Sequence, residues 1–228
     1  MYIWVKHKVK MKPAKLLILV CCIVLYKPVQ AQLQQSQLDS LIKNYTRQLQ
    51  KSGIDTICVF EEYCIGCMFI AENGDNQCLQ NILFLPTYIF WKKDGKTMMT
   101  KKDICNDYSV QQTGFDSFWQ FYLNNKEKIK KEELKPPQYV EMVNGRKKIS
   151  TLQVDRGIYF RISFNIAGNN VTKVINNYFF TKELGEKEEH NINYEYNVQS
   201  VLNTLHENLL KTVKEESKRK KLAATLRN

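Results

Sequence analysis

The amino-acid sequence predicts an α+β protein: an antiparallel sheet with N-terminal, central and C-terminal helices. Two observations support this fold class. Apolar residues recur at helical spacing in three separate segments, near residues 38–49, 115–129 and 198–213. Two-residue turns, Asp94-Gly95 and Asn144-Gly145, join strand-like runs, and such turns connect antiparallel strands. Strands that follow one another between helices are typical of the α+β class.

The first 31 residues have the layout of a secretory signal peptide. A basic lead without acids precedes the apolar run 16–26, and small residues ending at Ala31 predict cleavage before Gln32. At about 1.5 Å per residue, this run is too short to cross a hydrocarbon core of about 30 Å. We therefore expect an exported protein, periplasmic or extracellular, whichever methionine starts translation.

The charge of the chain is concentrated at its two ends. The full chain has 34 basic and 23 acidic residues, a net charge of +11. Residues 1–31 hold six lysines and no acid, so the mature chain has a net charge of +5. Most of that excess lies in residues 214–228, a basic tail without aromatic residues for base stacking. We expect no nucleic-acid partner, and at most a peripheral contact of the tail with a membrane.

The mature chain is predicted to begin with an amphipathic helix and a buried strand. The helix starts at Ser36 as N-cap and stops at Gly53, and the strand is the run 55–60, which is rich in β-forming residues. The apolar stripe of the helix consists of Leu38, Leu41, Ile42, Tyr45 and Leu49.

A hairpin follows at Asp94-Gly95, where Gly supplies the positive φ that the turn requires. A register centred on this turn places Tyr88 opposite Lys101. A longer pairing would bring Phe84 near Cys105.

A central helix is predicted after this hairpin. Thr113 and Asp116 resemble a capping box, and Pro136-Pro137 ends the charged run that follows the helix. The prolines separate a cysteine-containing region, 32–135, from a region of β-hairpins and a C-terminal helix, 136–213, and we expect both to share one domain. One face of the central helix carries Phe115, Phe118, Trp119, Tyr122 and Ile129.

The second half of the chain is predicted to form antiparallel strands and a final helix. Residues 158–166 alternate between apolar and polar side chains, which indicates a strand with one buried and one solvated face. A turn at Gly168-Asn169-Asn170 leads into the next strand. Because the apolar stripe of the last helix ends at Val213, we expect residues 214–228 to be a solvated basic tail and the fold to survive deletion of residues 216–228. That stripe consists of Val198, Val201, Leu202, Leu205, Leu209 and Val213.

The cysteines of the mature chain favour structural crosslinks. Cys58 lies within the apolar strand and is predicted to be a buried thiol. An oxidising compartment favours disulfides among the other four, with three possible connectivities. We expect the two cysteines of the C-x-x-C motif to bond outward, because a longer loop restricts the unfolded chain more. The candidate disulfide cysteines are Cys64, Cys67, Cys78 and Cys105.

The alternative is an exported thiol-disulfide oxidoreductase that uses the dithiol Cys64-x-x-Cys67. The strand TICVF, the motif CIGC and Pro86-Thr87 resemble the thioredoxin fold, in which a helix N-terminus lowers the pKa of the first thiol and a proline lies against the dithiol. In this chain 18 residues separate Cys67 from Pro86, fewer than the helix, strand and helix of that family require.

Other chemistries have weaker support. The four cysteines could form a tetrahedral zinc site, but there is a single C-x-x-C motif and the compartment is oxidising. His190 and His206 are predicted to be ordinary surface residues, and Glu61-Glu62 and residues 186–190 to be solvated acids. The sequence contains no hydrolase motif.

The sequence thus favours an exported, disulfide-stabilised α+β protein that binds another protein or a component of the cell envelope. We expect no catalytic site, no metal and no cofactor, and a binding protein rather than an enzyme.

Overall fold

The structure is a computed structural model that describes residues 36–66, 86–103, 106, 108–154, 156–185 and 189–225, with side chains to residue 219. The predicted signal peptide 1–31 and the new N-terminus Gln32 lie outside the described residues. The same is true of Cys67, Cys78, Cys105 and the predicted pairing of Phe84 with Cys105.

The described chain confirms the α+β class, with a six-stranded antiparallel sheet and four α-helices. The strand order in this sheet is β4-β3-β2-β1-β7-β8. Strands β5 and β6, and strands β9 and β10, form two separate two-stranded sheets. In chain order the elements are α1 (36–51), β1 (Thr56–Ile65), β2 (Thr87–Lys93), β3 (Lys96–Lys102), β4 (Gln111–Thr113), α2 (Ser117–Lys131), β5 (Gln138–Val143), β6 (Arg146–Thr151), β7 (Gly157–Ile166), β8 (Asn169–Asn176), a 3-10 turn (Asn177–Phe180), β9 (Glu183–Leu184), β10 (Glu189–His190), α3 (Tyr194–Val198) and α4 (Val201–Thr225).

Strand β1 lies in the middle of the sheet, hydrogen-bonded to β2 on one edge and to β7 on the other. The β2–β3 hairpin turns at Asp94-Gly95, and both residues have positive φ, 50° and 73°. Tyr88 faces Lys101, which confirms the predicted register. The Asn144-Gly145 turn between β5 and β6 is confirmed as well.

The six-stranded sheet buries apolar side chains on both faces. On one face Cys58 and Phe60 of β1 pack with α2 and α4 in the larger core. On the other face Ile57 packs with Leu38 and Ile42 of α1 in a smaller core. The larger core also joins Phe118 and Leu205, from the two sides of Pro136-Pro137. The molecule therefore has three layers, with the sheet between α1 and the pair α2 and α4.

Helix α1 ends as the sequence predicts. Gly53 has a φ of 84°, its N–H donates to the carbonyl of Gln50, and the N–H of Ile54 donates to the carbonyl of Leu49. These two bonds form a Schellman motif, which satisfies carbonyls at the helix end. The apolar stripe is narrower than predicted, because Leu41 is 48% exposed.

The start of α2 differs from the predicted capping box. The helix begins at Ser117, and the side chain of its N-cap Asp116 makes no capping hydrogen bond. Asp116 instead accepts from Lys92 at 2.8 Å. Thr113 is the last residue of β4, and Phe115 is 40% exposed. The side chain of Asp116 therefore joins the helix start to β2.

The turn after β7 is also shifted from its predicted place. It consists of Ala167-Gly168, and Ile166 pairs directly with Asn169. Asn169 and Asn170 are therefore strand residues of β8. Both turn residues have positive φ, 49° and 79°, which matches the two-residue turns of the other hairpins.

The C-terminal helical region is broken and extends further than predicted. Val198 ends α3, and α4 begins at Val201 and continues to Thr225. Beyond the apolar stripe, Glu216 is only 1% exposed, contrary to the expectation of a solvated tail from residue 214. Its carboxylate accepts from the Thr113 hydroxyl at 2.6 Å and from the Gly114 N–H at 3.2 Å. Within the described residues no helix is both long enough and apolar enough to cross a membrane.

We expect Glu216→Ala to lower the free energy of unfolding by about 2 kcal/mol, because it leaves the buried Thr113 hydroxyl and the half-buried Gly114 N–H without their acceptor. Glu215→Ala is the matched control: Glu215 pairs with Lys218 at the surface, and its loss should cost less than about 0.5 kcal/mol. Urea unfolding of both variants measures the difference. Equal stabilities would show that α4 is dispensable beyond Val213.

Candidate functional site

Of the predicted disulfide cysteines, the structure describes Cys64. It is the next-to-last residue of β1, paired with Ile158 of β7. A strand position does not provide the helix N-terminus that lowers a thiol pKa in thioredoxin-like sites. Cys58 is a free thiol with no exposed surface, as predicted, and burial raises its pKa well above the usual range. Cys64 itself is disulfide-bonded, and the other three predicted disulfide cysteines lie outside the described residues.

A groove of about 270 Å³ runs between α1 and the outer face of the sheet. Helix α1 covers β1 and β2 on this face, through its contacts with Ile57 and Ile89, and leaves part of β7 and β8 open. The alternation of β7 points Ser163 and Asn165 into the opening, and Asn170 of β8 lies beside them. The face predicted to be solvated is therefore one wall of a groove.

The groove has a basic side and a polar side. Lys43 and Arg47 are one turn apart on α1, so their side chains lie on the same helix face. Opposite them, the hydroxyls of Ser163 and Thr172 are 3.0 Å apart and hydrogen-bonded. Ile57 forms an apolar part of the floor. The described lining contains two cations and no Asp or Glu, so its potential favours an anion.

An ion pair lies beside the groove, two residues along β1 and β7 from Val59 and Ser163 of its lining. The guanidinium of Arg161 donates to Glu61 at 3.2 Å and lies 4.0 Å from Asp39 of α1. It also lies 5.2 Å from the ring centre of Tyr63. Glu61 is buried, not solvated as predicted, and burial raises the pKa of its carboxyl while Arg161 opposes the rise. Arg161 therefore faces one acid from β1 and one from α1.

His206 is a second residue that the sequence misassigned. It is 3% exposed, not a surface residue, and its ring centre is 4.1 Å from that of Phe160 and 6.1 Å from that of Phe60. Neither ring nitrogen has a hydrogen-bond partner among the described residues, and Glu207 is 3.8 Å from Nδ1. Burial, followed by the charge of Lys214, lowers the pKa of His206 to about 4. The side chain is therefore neutral at pH 7. His190 is exposed in β10, as predicted.

Helical spacing contains a signal for the two missed residues of α4. His206 lies four residues after Leu202, and Glu216 lies seven residues after Leu209, so both continue the predicted apolar stripe. The groove had no such signal, because its two walls come from segments more than 100 residues apart.

The described residues contain no group of three or more His, Cys, Asp or Glu side chains that could hold a metal ion. His206 is enclosed by aromatic rings of Phe60, Phe160 and Phe180, which separate it from water. The groove can bind a ligand through charge, hydrogen bonds and an apolar floor.

We expect His206→Leu to flatten the pH dependence of stability. The unfolded histidine has a pKa near 6.5 and the folded one about 4, so the unfolded chain binds more protons between these values. Above pH 6.5 this titration does not change the free energy of unfolding, and as the pH decreases from 6.5 to 4 it lowers the free energy of unfolding by about 3 kcal/mol. The leucine variant should be about 1 kcal/mol more stable at pH 7, because two unpaired nitrogens are removed.

Denaturant unfolding at several pH values measures this effect, with the exposed His190→Leu as control. The raised pKa values of Glu61 and Glu62 change stability with pH in the opposite direction. Both residues are present in wild type and in the variant, so their effect cancels when the two stability curves are subtracted. Parallel curves for wild type and His206→Leu would show that position 206 is hydrated.

Comparison with known proteins identifies no relative. No protein-family model, curated protein or solved structure gives a significant match to this chain. The function is therefore argued from the geometry of the groove.

Proposed function

We propose that the chain is an exported, disulfide-stabilised binding protein, and that the groove between α1 and the β7–β8 face takes an anionic ligand. The observation that carries the proposal is the lining: Lys43 and Arg47 face polar side chains of the sheet without a carboxylate among them. Because no carboxylate of the described lining neutralises these two cations, both attract an anion in the groove.

The residue types indicate the ligand class. Arg47 can donate two parallel hydrogen bonds to a carboxylate or a phosphate, and Lys43 adds a compact charge beside it. Asn165 and Asn170 offer amide donors and acceptors to neutral polar groups. Ile57 and Val59 provide a small apolar surface. These features suit a small organic acid or phosphate, or one acidic residue of a larger envelope component.

The Glu61–Arg161–Asp39 cluster supports this assignment. Arg161 lies 4.0 Å from Asp39 of α1, and α1, which packs on the sheet through Leu38 and Ile42, carries both cations of the groove. Binding sites hold ligands more tightly when their side chains sit on rigid elements. A groove between an anchored helix and a six-stranded sheet meets that condition.

We expect Lys43→Gln combined with Arg47→Gln to weaken binding of citrate and of inorganic phosphate at least about tenfold, because two charge-assisted contacts are lost. Amide chemical shifts of the mature protein, followed by NMR at low ionic strength, report the binding. Lys51→Gln, on the same helix but outside the lining, is the control and should bind like wild type. Unchanged affinity in the double variant, or shifts outside the groove, would contradict the proposal.

The cysteines give a separate prediction: Cys64 and Cys67 bond to Cys78 and Cys105 rather than to each other. In the chain-entropy account a bond within CIGC stabilises by about 2 kcal/mol, whereas the longer loops give about 3–4 kcal/mol. Cys58, which is buried, should be the single free thiol. Peptide mapping without reductant measures the pairing, and thiol titration under denaturing conditions counts the free thiol.

A dominant Cys64–Cys67 peptide would contradict this pairing and would favour the thiol-disulfide oxidoreductase. Bound zinc with five reactive thiols would favour the metal site. The NMR titration of the groove is independent of both results.

A further inference from the structure

The β5–β6 hairpin is a surface that the proposed function leaves without a role. It forms its own two-stranded sheet, and none of its residues is buried. Four large apolar side chains are nevertheless exposed on it, by 41% to 63%: Val140, Met142, Val143 and Ile149. A projecting ribbon with this much exposed apolar surface is typical of a contact site.

The apolar side chains lie on both faces of the hairpin. Val140 pairs with Ile149, and strand alternation puts Met142 on the same face. Val143 is next to the turn and points to the opposite face. A protein partner with a flat surface would cover one face and leave the other in water, whereas an interfacial lipid layer surrounds both.

The tip of the hairpin is strongly basic. Arg146, Lys147 and Lys148 follow the Asn144-Gly145 turn, and all three are exposed. The single acid of the two strands is Glu141, whose carboxylate accepts from Ser150 and lies 3.9 Å from Lys148. Two such hairpins repel each other, so the charge disfavours pairing with a second copy of this chain.

We propose that the tip of the β5–β6 hairpin docks on an anionic lipid surface, with Met142, Val143 and Ile149 in the interface and the cations on the headgroups. Apolar side chains inserted beside lysine and arginine are the combination that peripheral lipid binding uses. Each cation near an anionic surface strengthens binding about fivefold. The proposal assigns the membrane contact to this hairpin instead of the basic tail, and it does not depend on the groove.

The test is sedimentation of the mature protein with vesicles of phosphatidylcholine, with and without phosphatidylglycerol. Binding should require the anionic lipid and weaken as salt is added. Arg146→Gln with Lys147→Gln should weaken it roughly thirtyfold, and Met142→Gln with Ile149→Gln severalfold. Far-UV circular dichroism checks that both variants stay folded.

The matched control carries Leu123→Gln and Lys128→Gln, an exposed apolar residue and an exposed cation on α2, and should bind like wild type. A lipid with a paramagnetic headgroup should broaden the NMR signals of Met142 and Val143 most. The proposal is overturned by absent binding to anionic vesicles at low salt, or by hairpin variants that bind like wild type. It is also overturned if Lys218→Gln with Lys221→Gln in the tail abolishes binding while the hairpin variants retain it.

The groove variant Lys43→Gln with Arg47→Gln keeps the two proposals apart. It should lose citrate binding and keep vesicle binding. Loss of vesicle binding in that variant would place the lipid contact in the groove and overturn the role of the hairpin.

Discussion

Strand β1 has to be apolar on both faces, and the rest of the molecule depends on this requirement. It is hydrogen-bonded to β2 and β7 along both edges, so its backbone has no contact with water in the middle of the sheet. Cys58 and Phe60 point to the larger core, and Ile57 points to the smaller core under α1. Each layer is held in place because it covers one face of this strand.

Among the buried polar side chains, two carboxylates pair with groups on neighbouring elements, and His206 does not. Glu61 pairs with Arg161 across β1 and β7. Glu216 binds the end of β4 from the last helix. His206 is different, since it has no described hydrogen-bond partner and sits among phenylalanine rings. A buried polar group that is paired positions its neighbours, while an unpaired one lowers stability and makes it depend on pH.

The sequence predicted the parts of the fold that local patterns control. The Asp94-Gly95 turn and the alternation around Phe160 determine register and face by short-range rules, and both were confirmed. The capping box at Thr113 was wrong because the helix begins only at Ser117, while Thr113 ends β4 and donates its hydroxyl to Glu216, 103 positions away. The groove could not be predicted either, since the depth left between α1 and β7 follows from tertiary packing and not from spacing along one segment.

The pairing of β1 with β7 has a consequence for the time course of folding. Glu61 and Arg161, which face each other, are 100 residues apart in the chain. At synthesis rates of about 5–20 residues per second, β7 is synthesised roughly 5–20 seconds after β1, and until then one edge of β1 is unpaired. Contacts this distant in sequence form slowly, because the entropy of the long loop is lost before the strand pairing that offsets this loss has formed. During that interval the edge of β1 presents unpaired backbone N–H and C=O groups to which another chain can bind.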